Sequence, residues 1–208
     1  MACGSGGPAL HLGLRTGCAI TGVDLYGEAV AAARAAGSEL GRGVAASFVQ
    51  ADASQPLPFS DASFDAVICV DAINHLADRS SVLADWARLL APGGRVVFTD
   101  PLVLTGPVGS DEIAVRTSIG FGLFMPAGEN ERLISRAGLT VLAVEDTTEE
   151  KARVAQRRYE ARAEHEQELR TIEGDETYDG RQRFFRTAAR LAREHRLSRL
   201  AFVAAKPR

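Results

Sequence analysis

Met1-Ala2-Cys3-Gly4-Ser5-Gly6-Gly7 opens the chain, and Thr21-Gly22-Val23-Asp24 follows after a helical run. The order is a glycine-rich turn, a helix, an apolar strand and an acid at the strand's end. That is one nucleotide-binding unit. Small residues let the backbone approach a ligand, and the free N–H groups of a helix start favour polar or anionic atoms. An acid closing the next strand can accept from both hydroxyls of a ribose, and Asp24 stands about 20 residues after Gly4, the offset for that role. A doubly wound sheet delivers such a turn from the end of a buried strand. Here the turn begins at residue 1, so the expectation is that Met1 is an internal methionine of a longer natural chain.

Outward from that unit the pattern repeats. Residues 7–16 read as the first helix, opened by Pro8 and ended by Gly17, and residues 18–23 as a short strand. An alanine-rich helix is predicted from Gly27 to Ala36, stopped by Gly37, then a strand over 46–50 that delivers Ala51-Asp52-Ala53 to a loop. Phe64 to Val70 is nearly continuous apolar sequence and reads as a strand buried on both faces. A helix is predicted from Arg79 to Leu90, stopped by Ala91-Pro92-Gly93-Gly94, and a strand over 95–99 ending at Asp100-Pro101. The repeated β-α order gives an α/β class: a Rossmann-like doubly wound sheet with helices on both faces.

The second half is less regular. Residues 101–109 read as a Gly/Pro loop, 110–119 and 127–137 as short helices, and 139–145 as a strand. Residues 148–196 form a polar, Arg- and Glu-rich helical insertion before the closing strand at 200–205. Thr147 with Glu150 three residues on is the signature of a capping box. The division is a core over 1–147, the insertion over 148–196, and a return to the core over 197–208.

Composition narrows the function classes. The chain has 208 residues, 46% of them hydrophobic and 25% charged, and a net charge of −3, which argues against a nucleic-acid partner. Cys3, Cys18 and Cys69 are scattered, so neither a metal site nor a disulfide framework is expected. No apolar run reaches the roughly 18 residues of a membrane span, and no signal peptide is visible, which points to the cytoplasm.

Ala2-Cys3-Gly4-Ser5-Gly6, Gly22-Val23-Asp24-Leu25, Ala51-Asp52-Ala53, Phe64-Asp65 and Leu90-Ala91-Pro92-Gly93-Gly94 stand in the order found in class I S-adenosylmethionine-dependent methyltransferases. The chain resembles that family over about residues 1–145 and the final strand, and lacks the family's first strand. The resemblance implies S-adenosylmethionine as cofactor. The backbone around Ala2, Cys3, Gly4, Ser5 and Gly6 would hold its methionine part, and Asp24 its ribose. Leu25 would flank the adenine, Asp52 would accept from the adenine amino group, Ala53 would add a backbone contact, and Val70 and Asp71 would line the other side. The implied reaction is methyl transfer to an N or O atom of a small-molecule acceptor.

Such a transfer needs alignment, exclusion of water and, for a hydroxyl, removal of a proton. His75, just after the fourth motif strand, is the candidate general base, since imidazole exchanges protons near neutral pH. Asp71 is a second candidate base, or a structural acid. Asp100 reads as the start of a turn with Pro101, or as an acceptor contact. His11 reads as a packing residue, and His165 and His195 as solvated. The insertion is either a solvated structural layer or a lid, with Tyr159, Tyr178, Phe184 or Phe185 facing the acceptor. Two rival readings stay open: a non-catalytic or truncated remnant or partner subunit, and a Rossmann dehydrogenase. An exposed sheet edge would allow a homodimer.

Overall fold

The structure is a computed structural model that describes residues 1–208, the side chain of Arg42 excepted. The first half alternates as expected: α1 (Gly7–Thr16), β1 (Ile20–Asp24), α2 (Gly27–Glu39), β2 (Ala46–Gln50), β3 (Phe64–Cys69) and α3 (Arg79–Leu89). Then come β4 (Leu90–Leu104), α4 (Ser110–Arg116), β5 (Met125–Pro126), α5 (Glu129–Arg136) and β6 (Thr140–Asp146). The insertion is three helices, α6 (Thr148–Glu164), α7 (Glu166–Glu173) and α8 (Asp175–Arg193), and β7 (Leu197–Ala205) closes the chain.

The strands form two sheets. β1 and β2 pair in parallel, while the second sheet runs β3-β4-β7-β6, with β5 against the far end of β4. β3 and β4 are parallel, and β7 runs antiparallel between β4 and β6. Residues 1–3 bridge the two sheets. The Met1 ammonium donates to Ile68 O (2.7 Å) and Cys3 N donates to Val23 O (2.9 Å). The Met1 side chain packs on the apolar clusters of both sides.

The main core lies between the second sheet and helices α3 and α5. Val67, Val96, Phe98 and Phe202 meet Leu83, Trp86 and Ile134 there. Phe98 stacks on Phe202 at 4.8 Å and takes the edge of Trp86 at 6.0 Å, arrangements that suit ring quadrupoles. Asp78 caps α3 through Ser81, accepting from its N (3.0 Å) and Oγ (2.6 Å). In the insertion, Ala155 packs on Ala188 and Ala189, small residues that let α6 and α8 approach closely.

Several expectations are corrected. α2 runs through Gly37 to Glu39, because that glycine does not take the left-handed φ that would end a helix. β3 is not buried on both faces: Val67 and Cys69 face the core while Ile68 between them is 38% exposed, so one face of the strand is left uncovered. Residues 101–104 are strand, not loop. β4 continues past Pro101 because the register shifts between Asp100 and Val103, a bulge in which proline's missing N–H costs no ladder bond. Pro92-Gly93-Gly94 does not end an element alone; Gly93 N donates to Lys206 O and Lys206 N to Gly94 O, tying it to the chain's tail. Thr147 forms no capping box: its hydroxyl bonds Arg199, and Asp146 Oδ1 accepts from Thr148 N (2.8 Å) instead. His11 is exposed and packs no core.

Candidate functional site

The site is built where β1, β2 and β3 end. Ala2, Gly4 and Gly6 all have positive φ (49°, 54° and 84°), so the turn coils back on itself before α1 starts. Two glycines are demanded by packing. A Cβ on Gly6 would lie 2.9 Å from Ala33 Cβ, and one on Gly22 2.4 Å from Phe48 Cδ1. The corresponding position on Gly4 faces open space, so the turn is closed toward its own core and open outward.

Asp24 pins this turn. It is 8% exposed, with Oδ2 accepting from Gly4 N (2.8 Å) and Oδ1 from Tyr26 N (3.1 Å). Each oxygen retains a second lone pair for a ligand hydroxyl. Ala51 N donates to Asp24 O (3.0 Å), which brings the end of β2 alongside the end of β1. Asp52 uses Oδ1 on Ser54 N (2.9 Å) and Ser54 Oγ (2.7 Å), and those bonds hold its carboxyl below the usual range. Its Oδ2 stays free to accept. Leu25 (53% exposed) and Val70 (54%) are apolar side chains on this same edge with no core to fill. Open turn, acceptor carboxylates and uncovered apolar walls fit a nucleoside-bearing cofactor. Burial, and then the Asp24 charge, push the Cys3 thiol up, so it serves the turn as a small neutral side chain.

On the other side of that edge, Asp71 (φ 50°) is held rather than free. Its N donates to Thr99 Oγ1 (2.8 Å), and its Oδ1 accepts from Thr99 Oγ1 (2.8 Å) and Arg199 Nε (2.7 Å). His75 is exposed, at the end of the short 3-10 turn Ile73–His75. Its Nδ1 lies 2.6 Å from Phe121 O, and a carbonyl can only accept, so the proton sits on Nδ1. Nε2 therefore carries the lone pair, with Asn74 Nδ2 at 3.3 Å as a weak donor. Leu123 N donates to Asn74 O (2.7 Å), so the loop after α4 holds this turn at two points.

Asp100 belongs to a buried structural triad. It is fully buried and pairs with Arg79, while Asn130 Nδ2 donates to it (3.0 Å) and its Oδ1 accepts from Leu102 N (2.9 Å). Tyr178 is 3% exposed and lies inside the insertion, donating to Arg162 O (3.2 Å) beneath Arg170. Phe184 faces α4, where the Arg116 guanidinium sits 4.1 Å from its ring centre. Lys151, Arg116 and Arg199, which line the sheet side of the insertion, are residues that sequence reasoning missed. Their partners are 46 or more positions away, and no local pattern marks them. Among the described residues, no helix is long and apolar enough to cross a membrane.

A family profile described as "Methyltransferase domain" matches residues 1–98. The chain is 32% identical over 152 residues to the 27-O-demethylrifamycin SV methyltransferase of Amycolatopsis mediterranei, covering 71% of this chain and 55% of that protein. It is 54% identical over 56 residues to the dimethylglycine N-methyltransferase of Parasynechococcus marenigrum, covering 26% of this chain and 20% of that protein. In fold it matches phosphoethanolamine N-methyltransferase 2 of Haemonchus contortus, solved with phosphomonomethylethanolamine and S-adenosylhomocysteine. The TM-score is 0.87 at 22% identity, over 100% of this chain and 48% of that one. The chain spans about half the length of the curated relatives it matches over most of its own length. The non-catalytic and dehydrogenase readings are not favoured by these likenesses. The family profile and the curated relatives support a class I S-adenosylmethionine-dependent methyltransferase.

Proposed function

We propose that the chain transfers a methyl group from S-adenosylmethionine to an oxygen or nitrogen of a small-molecule acceptor. The observation that carries the reading is the convergence of the pinned turn, Asp24, Asp52, Leu25 and Val70 on one sheet edge, with His75 beside it. Bound there, the cofactor supplies the electrophilic methyl and its own leaving group. Ala2 to Gly6 and Ala53 offer backbone contacts to it, Asp24 takes the ribose and Asp52 the adenine amino group. Leu25 and Val70 cover the base, and Asp71, fixed by Thr99 and Arg199, closes the far side.

His75 is the general base of this reading. The Phe121 carbonyl fixes the tautomer, which leaves Nε2 to take the acceptor's proton once the weak Asn74 contact gives way. The insertion, residues 148–196, covers the acceptor as a lid. The relatives include O- and N-methyltransferases of small molecules, and the net charge of −3 suits such an acceptor better than nucleic acid. The three free cysteines accord with a cytoplasmic setting.

Calorimetric titration of S-adenosylmethionine into the chain tests the cofactor site. One saturable site, weakened at least tenfold by Asp24→Ala, is the expected result; no heat of binding overturns the reading. His75→Gln keeps cofactor affinity and lowers transfer to a hydroxyl acceptor about 100-fold or more. Unchanged turnover would remove His75 from the chemistry.

A further inference from the structure

The sheet side of the insertion holds more buried positive charge than its carboxylates match. Asp100 is paired with Arg79, and Asp71 with Arg199. Arg116 and Lys151 have no carboxylate partner among the described residues. Arg116 is 9% exposed, and its Nε and Nη1 are buried without a hydrogen-bond partner. A buried guanidinium left so is costly, and native structures hold such a group for a reason. Its one described neighbour of note is the Phe184 ring, 4.1 Å away. Stacking on an aromatic face fixes the guanidinium plane and leaves its edge of N–H donors for a bidentate oxyanion.

Lys151 approaches from α6. Its Nζ donates to Pro101 O (2.6 Å) and Leu197 O (3.0 Å), which uses two of its three hydrogens and leaves one. Burial first, and then the Arg116 charge, push the Lys151 ammonium down to about 7, while burial alone pushes the Arg116 guanidinium down to about 10. Both are tied to the reacting edge by short stretches of chain. Arg116 ends α4, and the loop that follows gives its Phe121 carbonyl to His75. Lys151 holds Leu197 O, two residues before the Arg199 that grips Asp71.

We propose that Arg116 and Lys151 form a cationic subsite that receives the carboxylate or phosphate of the acceptor, an inference resting on the methyl-transfer reading above. The acceptor is then a small anion whose opposite end presents its nucleophilic atom toward His75. The anion supplies the missing counter-charge, and the Phe184 ring orients it. Bidentate geometry favours a carboxylate or phosphate over a halide.

The test separates the subsite from the reaction. Thermal midpoints of the chain are measured against increasing sodium acetate and inorganic phosphate, with ionic strength held constant by sodium chloride. A saturable rise is expected, as for any ligand that binds the folded state alone. The anion with the greater rise identifies the acceptor's group. Arg116→Met and Lys151→Met each weaken the response at least tenfold, and Arg116→Lys restores part of it while keeping the fold's far-UV spectrum. No rise beyond the chloride control, or an equal rise in Arg116→Met, overturns the proposal. Parallel S-adenosylmethionine titrations keep the two readings apart. Cofactor binding with no anion response sinks the subsite alone; an anion response with no cofactor binding sinks methyl transfer.

Discussion

The proposed cofactor edge and the insertion side of this molecule are built from different materials. At the cofactor edge the shape comes from the backbone: three positive-φ residues in five, one acid bonded to two N–H groups, and strand ends drawn together by main-chain bonds. On the insertion side it comes from charge. Arg79 pairs with Asp100, Arg199 with Asp71, and Glu112 with both Arg190 and Arg196. A backbone-built site tolerates few residues at each position and so leaves a local signature. A charge-built layer can be assembled from many sequences, because what matters is which distant side chains meet.

The largest effect is expected where the two regions join. Arg79→Leu leaves Asp100 fully buried without its counter-charge, and breaking a pair of that kind costs about 3–5 kcal/mol. Chemical denaturation should show the loss directly. If Arg79→Leu costs under 1 kcal/mol, charge pairing is not what holds this side together. Second comes the backbone-built edge. Gly6→Ala demands a left-handed φ of 84° from alanine and puts a Cβ 2.9 Å from Ala33 Cβ, at a cost of about 2–4 kcal/mol. Gly4→Ala shares the positive φ but meets nothing within 4 Å, so it should cost only the conformational part, about 1–2 kcal/mol. Equal losses at the two glycines would mean that the packing of α2 against the turn contributes nothing.

What could be read from the sequence follows the same division. The glycine turn before α1 and the strands that end at Asp24 and just before Asp52 were legible because each sits in a short motif whose neighbours shape the chain with it. The helices α1, α3 and α5 were legible for a related reason: caps, glycines and periodic apolar residues are local. Pro101 misled, since proline reads as a breaker, and only the distant pairing of Val103 with Ser198 and Met125 shows that the strand continues. Thr147 misled in the same way, because Arg199, 52 residues on, takes the hydroxyl that the motif assigns to the helix start. Arg116 and Lys151 looked like two more charges in a polar half of the chain. Nothing near them in sequence says that they are buried or that their carboxylates are missing.

A pH series sharpens the contrast. Lys151 is pushed down to about 7 by burial first and then by Arg116, against the pull of Asp71 and Asp100, with Arg199 adding to the depression. In the unfolded chain the same group titrates near its ordinary 10.5. Between those values the unfolded state binds the extra proton, so stability should rise with pH from about 7 toward 10.5. Lys151→Met should flatten that rise, and changes at the cofactor edge should not. A wild-type chain whose thermal midpoint falls steadily from pH 7 to 9 would contradict the burial of this ammonium.

The smallest expected effect lies at the rim of the charged side and tests whether exposed pairs matter there at all. Glu112 accepts from Gly109 N (2.9 Å) at the start of α4, and its two oxygens hold Arg190 of α8 and Arg196 before β7. One carboxylate thus joins three segments. The Gly109 hydrogen bond, with the arginines, holds its carboxyl below the usual range. A depressed acid stabilises the fold above its unfolded pKa, and that contribution is lost as pH falls through the folded one. Glu112→Gln should therefore lower the midpoint slightly at pH 7, lower it less in high salt, and have no effect in acid once the wild-type group is protonated. The amide can still accept from Gly109 N, so the cap survives the substitution while the ion pairs do not. A loss independent of both salt and pH would assign Glu112's part to that cap, and the insertion would then be held as the cofactor edge is, by backbone groups rather than by charge.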